Sequence, residues 1–96
     1  MAYTLVVRMT APAGEQDRAE ELIRRLAEAS RQEPGAVHYI AHRDAEDPRV
    51  FLIYEQYRDK PAFEEHGQTE HFKEIAMGQL FPMLEGRERS IYETLD

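Results

Sequence analysis

The 96-residue sequence contains no cysteine, no tryptophan and no asparagine. Without cysteine there can be no disulfides, no thiolate metal ligands and no cysteine nucleophile. Basic residues are also few: 12 lysines and arginines stand against 19 aspartates and glutamates, which gives a formal net charge of −7. A surface this anionic repels phosphate groups, so neither nucleic acid nor an anionic membrane is an expected partner.

Long apolar runs are missing as well. No segment approaches the roughly 18 consecutive apolar residues of a membrane span, and the amino-terminal segment lacks the pattern of a signal peptide. Together with the absence of cysteine, this leads us to expect a cytoplasmic protein. The chain is 42% apolar and 32% charged, as expected for one folded domain over residues 1–96. Such a small core is marginal alone, which favours a partner chain.

Turn signals and hydrophobic periodicity divide the chain into strands and helices. The predicted elements are strands Tyr3–Met9, Ala36–Arg43, Val50–Tyr57 and Ser90–Leu95, and helices Glu15–Arg31, Asp59–His66 and one capped by Thr69. This order, βαββ followed by two short helices and a strand, favours a ferredoxin-like split βαβ arrangement. We therefore expect an α+β fold with a four-stranded antiparallel sheet and all helices on one face.

The third predicted strand is apolar on both faces, because every residue from Val50 to Tyr54 is hydrophobic. Strands with one solvated face alternate apolar and polar residues, whereas strands buried on both faces do not. Since the helices cover only one face, we expect the other face to pack on the same sheet of a second chain, giving a homodimer. The alternative is that Val50, Leu52 and Tyr54 are simply exposed.

A series of short motifs runs through residues 33–74: Pro34-Gly35, Tyr39, the acidic turn Asp44–Pro48, Glu55 with Tyr57, Ala62-Phe63, His66 and His71-Phe72. This series resembles the antibiotic biosynthesis monooxygenase (ABM) domain family, and most closely its quinol-monooxygenase-like branch. The resemblance implies a dimeric α+β barrel with a ligand cavity between sheet and helices. It also implies a monooxygenase that needs no cofactor and lets a quinol-like aromatic substrate react directly with dioxygen.

One branch of the family does not match. Its haem-degrading members use an asparagine on the first strand, a tryptophan on the third strand and a histidine one turn after the phenylalanine of the last helix. Here those places hold Val7-Arg8, Tyr57 and Ala76-Met77, and the chain has no asparagine or tryptophan. Haem degradation is therefore not expected.

The candidate catalytic residues are Glu55, His71 and His66. A carboxyl group in an apolar pocket has a raised pKa and can transfer protons near neutral pH, although Glu55 could equally be held in a structural hydrogen bond. His71 lies in the first turn of a helix, where the dipole disfavours a cation, so it suits a base. His66 ends a helix and suits an acid or an anion-binding role. The alternative for each histidine is a ring with no chemical role.

Metal binding is not expected. Glu55 and the two histidines have the composition of a facial triad, but no spacing forces them together. His38 and His42 share a strand face about 13 Å apart, too far to ligate one ion, so we interpret them as polar or interface residues.

Alternation along the third strand places Phe51, Ile53, Glu55 and Tyr57 on one face, which the resemblance puts toward the cavity. The full set of candidate substrate-binding residues is Tyr57, Tyr39, Phe51, Ile53, Phe63, Phe72 and Met77, and the alternative is that they form plain core. The Tyr57 hydroxyl is expected to bond a phenolic oxygen of the substrate. Arg87 and Arg89 are expected to face solvent or the partner.

Three functions are compatible with these observations. The first is a homodimeric, cofactor-free monooxygenase of a quinol or phenol. The second is a non-catalytic small-molecule-binding or stress-response module of the same fold. The third is an isomerase of a small oxygenated metabolite, which would use the same histidine and glutamate for proton transfer.

Overall fold

The computed structural model describes all 96 residues and contains the predicted elements in the predicted order. The elements are β1 (Tyr3–Thr10), α1 (Gln16–Ser30), β2 (Ala36–Arg43), β3 (Val50–Tyr57), α2 (Lys60–Gly67), α3 (a π-helical segment Phe72–Leu80 that continues into the short α-helical segment Phe81–Met83) and β4 (Gly86–Glu93). None of the helices has the length and apolar character needed to cross a membrane.

The four strands form one antiparallel sheet in the order β2-β3-β1-β4. α1 connects two strands that are not neighbours, and α2 and α3 together do the same between β3 and β4. This is the ferredoxin-like α+β topology that the element order predicted. Across the sheet, Val7 lies opposite Ile53 on one side and Arg89 on the other, so these three side chains share the face that packs against the helices.

The core lies between this face and the helices. Along β3, the alternate residues Phe51, Ile53, Glu55 and Tyr57 are all buried, as the alternation predicted. α1 meets them with residues at three- and four-residue spacing, namely Ala19, Leu22, Ile23, Leu26, Ala27 and Ser30. Burial of each large apolar side chain stabilises the fold by about 1.5–3 kcal/mol, so this layer holds α1 against the sheet.

Two elements differ from the prediction. β4 begins at Gly86 instead of Ser90 and ends at Glu93, because its charged start pairs with β1 through the backbone and carries no apolar alternation. In α3, the backbone N–H of Phe81 donates to the carbonyl of Ala76, five residues back. π-Helical segments are rare and frequently lie at functional sites, and hydrophobic periodicity does not reveal them.

The second face of the sheet contributes nothing to this core. We call Val6, Ile40, Leu52 and Tyr54 the open sheet face; the first two flank Tyr54 in one row across three strands. Ile40 is exposed and the other three are half-buried, whereas the neighbouring Val50 is already buried within one chain. The apolar surface that the sequence predicted is therefore present and uncovered in the single chain.

Candidate functional site

A cavity of about 200 Å³ lies between the sheet and the helices. Its walls are largely apolar and are formed by Leu5, Val7, Met9, Leu26, Ile53, Phe63, Gly67, Phe72 and Phe81. The polar groups that line it are Tyr39, Glu55, His66, Arg87 and Arg89. Because an engineered apolar cavity of about 150 Å³ accepts benzene, this one has room for at least a one-ring aromatic molecule.

Glu55 brings a carboxyl group into the cavity from β3 and is only 5% exposed. The Tyr57 hydroxyl donates a 2.6 Å hydrogen bond to its Oε1. Its other oxygen has no hydrogen-bond partner in the chain. This oxygen is not fully buried, because Ser30 Oγ is the only fully buried side-chain nitrogen or oxygen that lacks a hydrogen-bond partner. Burial raises the pKa of Glu55, and the Tyr57 bond offsets this only in part. The free oxygen can therefore exchange a proton with a ligand.

Tyr57 stays protonated and holds Glu55 in place. Burial, followed by the charge of Glu55, raises the pKa of Tyr57 far above its ordinary value. Its hydroxyl donates to Glu55 and its ring is absent from the cavity wall. The partner that the structure gives this hydroxyl is therefore Glu55, and the expected bond to a substrate oxygen stays a prediction.

α2 places His66 at the cavity. The helix starts where the Asp59 side chain accepts a hydrogen bond from the Ala62 N–H at 2.9 Å, with proline in the first turn, as predicted. His66, near the end of the helix, is 2% exposed and lines the cavity. Its ring packs edge-to-face on Phe72, with centroids 4.9 Å apart, so the imidazole is fixed among aromatic side chains.

Glu33, in the loop after α1, connects His66 to His71. One carboxylate oxygen, Oε2, lies 2.7 Å from His66 Nδ1 and 2.6 Å from His71 Nε2. We call these three residues the Glu33 cluster. Burial alone would raise the pKa of Glu33, but the hydrogen bonds and positive charge of the two imidazoles outweigh it and lower the pKa. An ionised carboxylate only accepts, so both nitrogens donate to it.

The bond to Glu33 determines which ring nitrogen of a neutral His66 carries the proton. With Nδ1–H bonded to Glu33, the lone pair lies on Nε2, which has no partner in the chain. A carboxylate that fixes the tautomer of an imidazole in this way prepares the other nitrogen to act as a base.

The Glu33 cluster also meets the composition of a metal site, because its three ligand atoms lie within 4.8 Å of one another. Ligands held at about 2.0–2.1 Å in a tetrahedral zinc site are about 3.3 Å apart. The observed separations of 2.6 and 2.7 Å are those of charge-assisted hydrogen bonds instead. Glu55, which the sequence combined with the two histidines in a facial triad, is not part of this cluster.

Four of the candidate substrate-binding residues line the cavity, namely Tyr39, Ile53, Phe63 and Phe72. Two others do not. Met77 is 56% exposed, because it follows Ala76 by one residue and points away from the sheet. Phe51 is buried farther along β3, where it lines a separate pocket beside Ile23.

His71 also lies outside the cavity wall. Its side chain is 23% exposed, and its Nε2 bonds the same Glu33 oxygen as His66 Nδ1. The structure therefore brings Glu55 and His66 together in the cavity but connects His71 to it only through Glu33.

Sequence reasoning missed Glu33, Arg87 and Arg89 as site residues. Glu33 immediately precedes the Pro34-Gly35 turn, and only that adjacency singles it out, since its partners are 33 and 38 residues away. Both arginines are exposed, as expected, but they also line the cavity.

Comparison with known proteins agrees with this fold. The family model described as "Antibiotic biosynthesis monooxygenase" matches residues 2–77. A Pseudomonas aeruginosa protein of known crystal structure is 33% identical, with a TM-score of 0.90 over 99% of this chain and 95% of its own. A Bacteroides thetaiotaomicron protein, provisionally described as an antibiotic biosynthesis monooxygenase, is 26% identical, with a TM-score of 0.87 over 99% and 90%.

A curated relative is longer than this chain. An uncharacterised protein of Synechocystis is 36% identical over 62 residues, which cover 62% of this chain. The matched region spans only 42% of the length of that relative.

Proposed function

Because the chain belongs to the antibiotic biosynthesis monooxygenase family, we propose that it is a monooxygenase of a small phenol or quinol that uses no added cofactor. The observation that carries this proposal is the meeting of a buried carboxyl group, Glu55, and a buried imidazole, His66, in one apolar cavity. Two proton-transfer groups in an apolar cavity are suited to removing a proton from a phenolic hydroxyl.

The proposed reaction starts when His66 Nε2 takes the phenolic proton. The electron-rich phenolate transfers one electron to dioxygen, and the two radicals combine at a ring carbon that carries hydrogen. The peroxide takes the proton back from His66 and becomes a hydroperoxide. His66 then removes the proton of that carbon while Glu55 protonates the outer oxygen, and the loss of water leaves a hydroxyquinone. One oxygen atom enters the product, the other leaves as water, and the quinol supplies every electron. The protein contributes the base, orientation and an apolar cavity.

The remaining residues support this chemistry. Glu55, whose raised pKa favours its protonated form, is placed to return a proton to the departing oxygen. Tyr57 holds Glu55, and Glu33 holds His66. His71, which the sequence suggested as the base, acts through Glu33 in this proposal. Tyr39, Ile53, Phe63 and Phe72 contact the aromatic ring.

We also propose that two chains pair through the open sheet face as a homodimer. The contiguous apolar side chains of that face, together with the small core of a single chain, support it. Sedimentation of the variant Tyr54→Lys tests it: a dimeric wild type and a monomeric, folded variant are expected, and a monomeric wild type contradicts it.

Oxygen uptake tests the enzymatic function. The protein is mixed with a panel of quinols in the presence of a chelator, and consumption of oxygen and quinol is followed. Uptake above the rate without protein, with equal consumption of both, supports the proposal. Rates equal to the uncatalysed ones throughout contradict it. If a quinol then raises the melting temperature without uptake, the non-catalytic binding module is the better account.

A further inference from the structure

Two arginines on β4 face the cavity. Arg87 lies opposite Met9 and Arg89 opposite Val7 in the pairing with β1. Directly opposed residues share a face of the sheet, so both side chains point toward the helices. All four residues line the cavity, which places two guanidinium groups along the edge that β4 forms.

Aromatic rings hold these guanidinium groups at the wall. The Arg87 guanidinium carbon lies 3.9 Å from the ring centroid of Phe81, and that of Arg89 lies 5.9 Å from Phe63. A guanidinium that lies over a ring keeps N–H donors with which it can bind an anion. Both phenylalanines line the cavity, as the two arginines do.

Neither arginine forms a salt bridge with a carboxylate. Five other arginines of the chain lie within 4.0 Å of a carboxylate, namely Arg18, Arg24, Arg43, Arg49 and Arg58. Arg87 and Arg89 form no such pair and no side-chain hydrogen bond. The same is true of Arg8 and Arg25, but Arg87 and Arg89 are the two arginines that line the cavity. The one carboxyl group that lines the cavity is Glu55, which accepts a hydrogen bond from Tyr57. The charge of Arg89 lowers the pKa of Glu55, but the two groups form no salt bridge. Two cations at the cavity edge are therefore left for a ligand.

We propose that Arg87 and Arg89 form a carboxylate-binding subsite, and that the ligand of this cavity is a hydroxylated aromatic carboxylate. The carboxylate binds the two guanidinium groups, because their planar forks match its geometry. The ring lies between the apolar walls, and the hydroxyl group points to Glu55 and His66. Only this last placement rests on the proposed function; the carboxylate subsite stands without it.

Calorimetric titration of the full chain with para-hydroxybenzoate and para-hydroxybenzamide tests the subsite. The two probes have nearly the same shape and differ in charge. We expect the acid to bind at least about tenfold more tightly than the amide, as hydrogen bonds to charged groups typically provide. The preference should shrink in high salt. The double variant Arg87→Gln/Arg89→Gln should lose it, and Arg87→Lys/Arg89→Lys should keep part of it.

Arg25→Gln is the matched control, because it removes the same charge from an exposed residue of α1 that does not line the cavity. It should keep the full preference. Equal affinities of the two probes for the wild type, including no binding of either, overturn the subsite. So does a preference that survives the double glutamine variant. Circular dichroism confirms that each variant is folded, and the wild-type comparison decides even if one is not.

The two proposals fail separately. Binding is measured without turnover, so a protein that prefers the acid but never consumes oxygen retains the subsite and loses the monooxygenase function. A protein that oxidises quinols but does not prefer the carboxylate probe retains the monooxygenase function and loses the subsite.

Discussion

His66 and Glu33 are joined by a 2.7 Å hydrogen bond between Nδ1 and Oε2, although 33 residues separate them in the chain. This bond connects the loop after α1 to α2 and determines which nitrogen of a neutral His66 carries the proton. Because the same oxygen also accepts from His71, a single carboxylate sets the orientation of both rings. Substitutions at Glu33 should therefore affect stability and site chemistry together.

Nitrogen NMR should show the neutral His66 ring protonated at Nδ1, because Glu33 accepts that proton. In Glu33→Gln the neutral amide is a weaker acceptor, and the ring should divide between its two tautomers. Glu64→Gln, on the exposed side of α2, is the control and should leave the spectrum of His66 unchanged. A wild-type ring protonated at Nε2 would contradict the assignment.

The stability contributed by Glu33 should depend on pH. Its pKa is lowered in the folded state from an ordinary value of 4.5, so the contribution is present above about pH 4.5 and is lost as pH falls through the folded-state pKa. At pH 7, Glu33→Gln should unfold with about 2 kcal/mol less free energy than the wild type, since it weakens two charged hydrogen bonds. Urea titrations across the acid range check this. If the difference in unfolding free energy between the wild type and Glu33→Gln does not become smaller at low pH, the ionised carboxylate of Glu33 is not the source of that stability.

Glu55 should show the opposite dependence. Burial raises its pKa above 4.5 in the folded state, so ionisation destabilises the fold as pH rises through that raised value, and the cost is absent below pH 4.5. Glu55→Gln keeps an oxygen that accepts from Tyr57 and should gain stability over the wild type as pH rises. The comparison is again by urea titration at several pH values. If the stability of Glu55→Gln differs from that of the wild type by the same amount at acid and neutral pH, Glu55 is not a buried carboxyl group with a raised pKa.

Position 35 requires glycine because a side chain would not fit there. The backbone conformation is not the reason, because the φ angle of Gly35 is not positive. A Cβ there would overlap the Cβ of Ala62, so Gly35→Ala should cost about 1–3 kcal/mol of stability by forcing α2 away from the sheet. Ala62→Gly removes the overlapping atom, and the double variant should be more stable than the sum of the single effects implies. Gly67→Ala has no neighbour within 4 Å and should be neutral or stabilising. If the stability effects of Gly35→Ala and Ala62→Gly simply add in the double variant, the two Cβ atoms do not overlap.

Local pattern was sufficient for most of the fold. The alternation from Phe51 to Tyr57 and the Asp59 cap follow from nearest neighbours along the chain, so the sequence predicts them. The charged start of β4 has no such pattern, since its pairing with β1 is long-range and made by the backbone. The site was less predictable because its contacts also join residues that are far apart in the sequence.

Side-chain partners explain what the sequence missed in the site. Glu55 and His66 were predicted as site residues from family-like motifs, and the structure places both at the cavity. The role of Tyr57 depends on the direction of one hydroxyl group, and the position of His71 depends on Glu33. Neither relation leaves a spacing that can be read from the sequence.

Comparison of two histidine variants in the oxygen-uptake assay tests the central claim, which is that His66 is the base of a cofactor-free oxygenase. His66→Gln should lower the catalysed rate on a quinol by at least about 100-fold, because a general base typically contributes that much. His71→Gln should lower it by less than about tenfold, because this ring reaches the cavity only through Glu33. A folded His66→Gln protein that retains the wild-type rate would contradict the account.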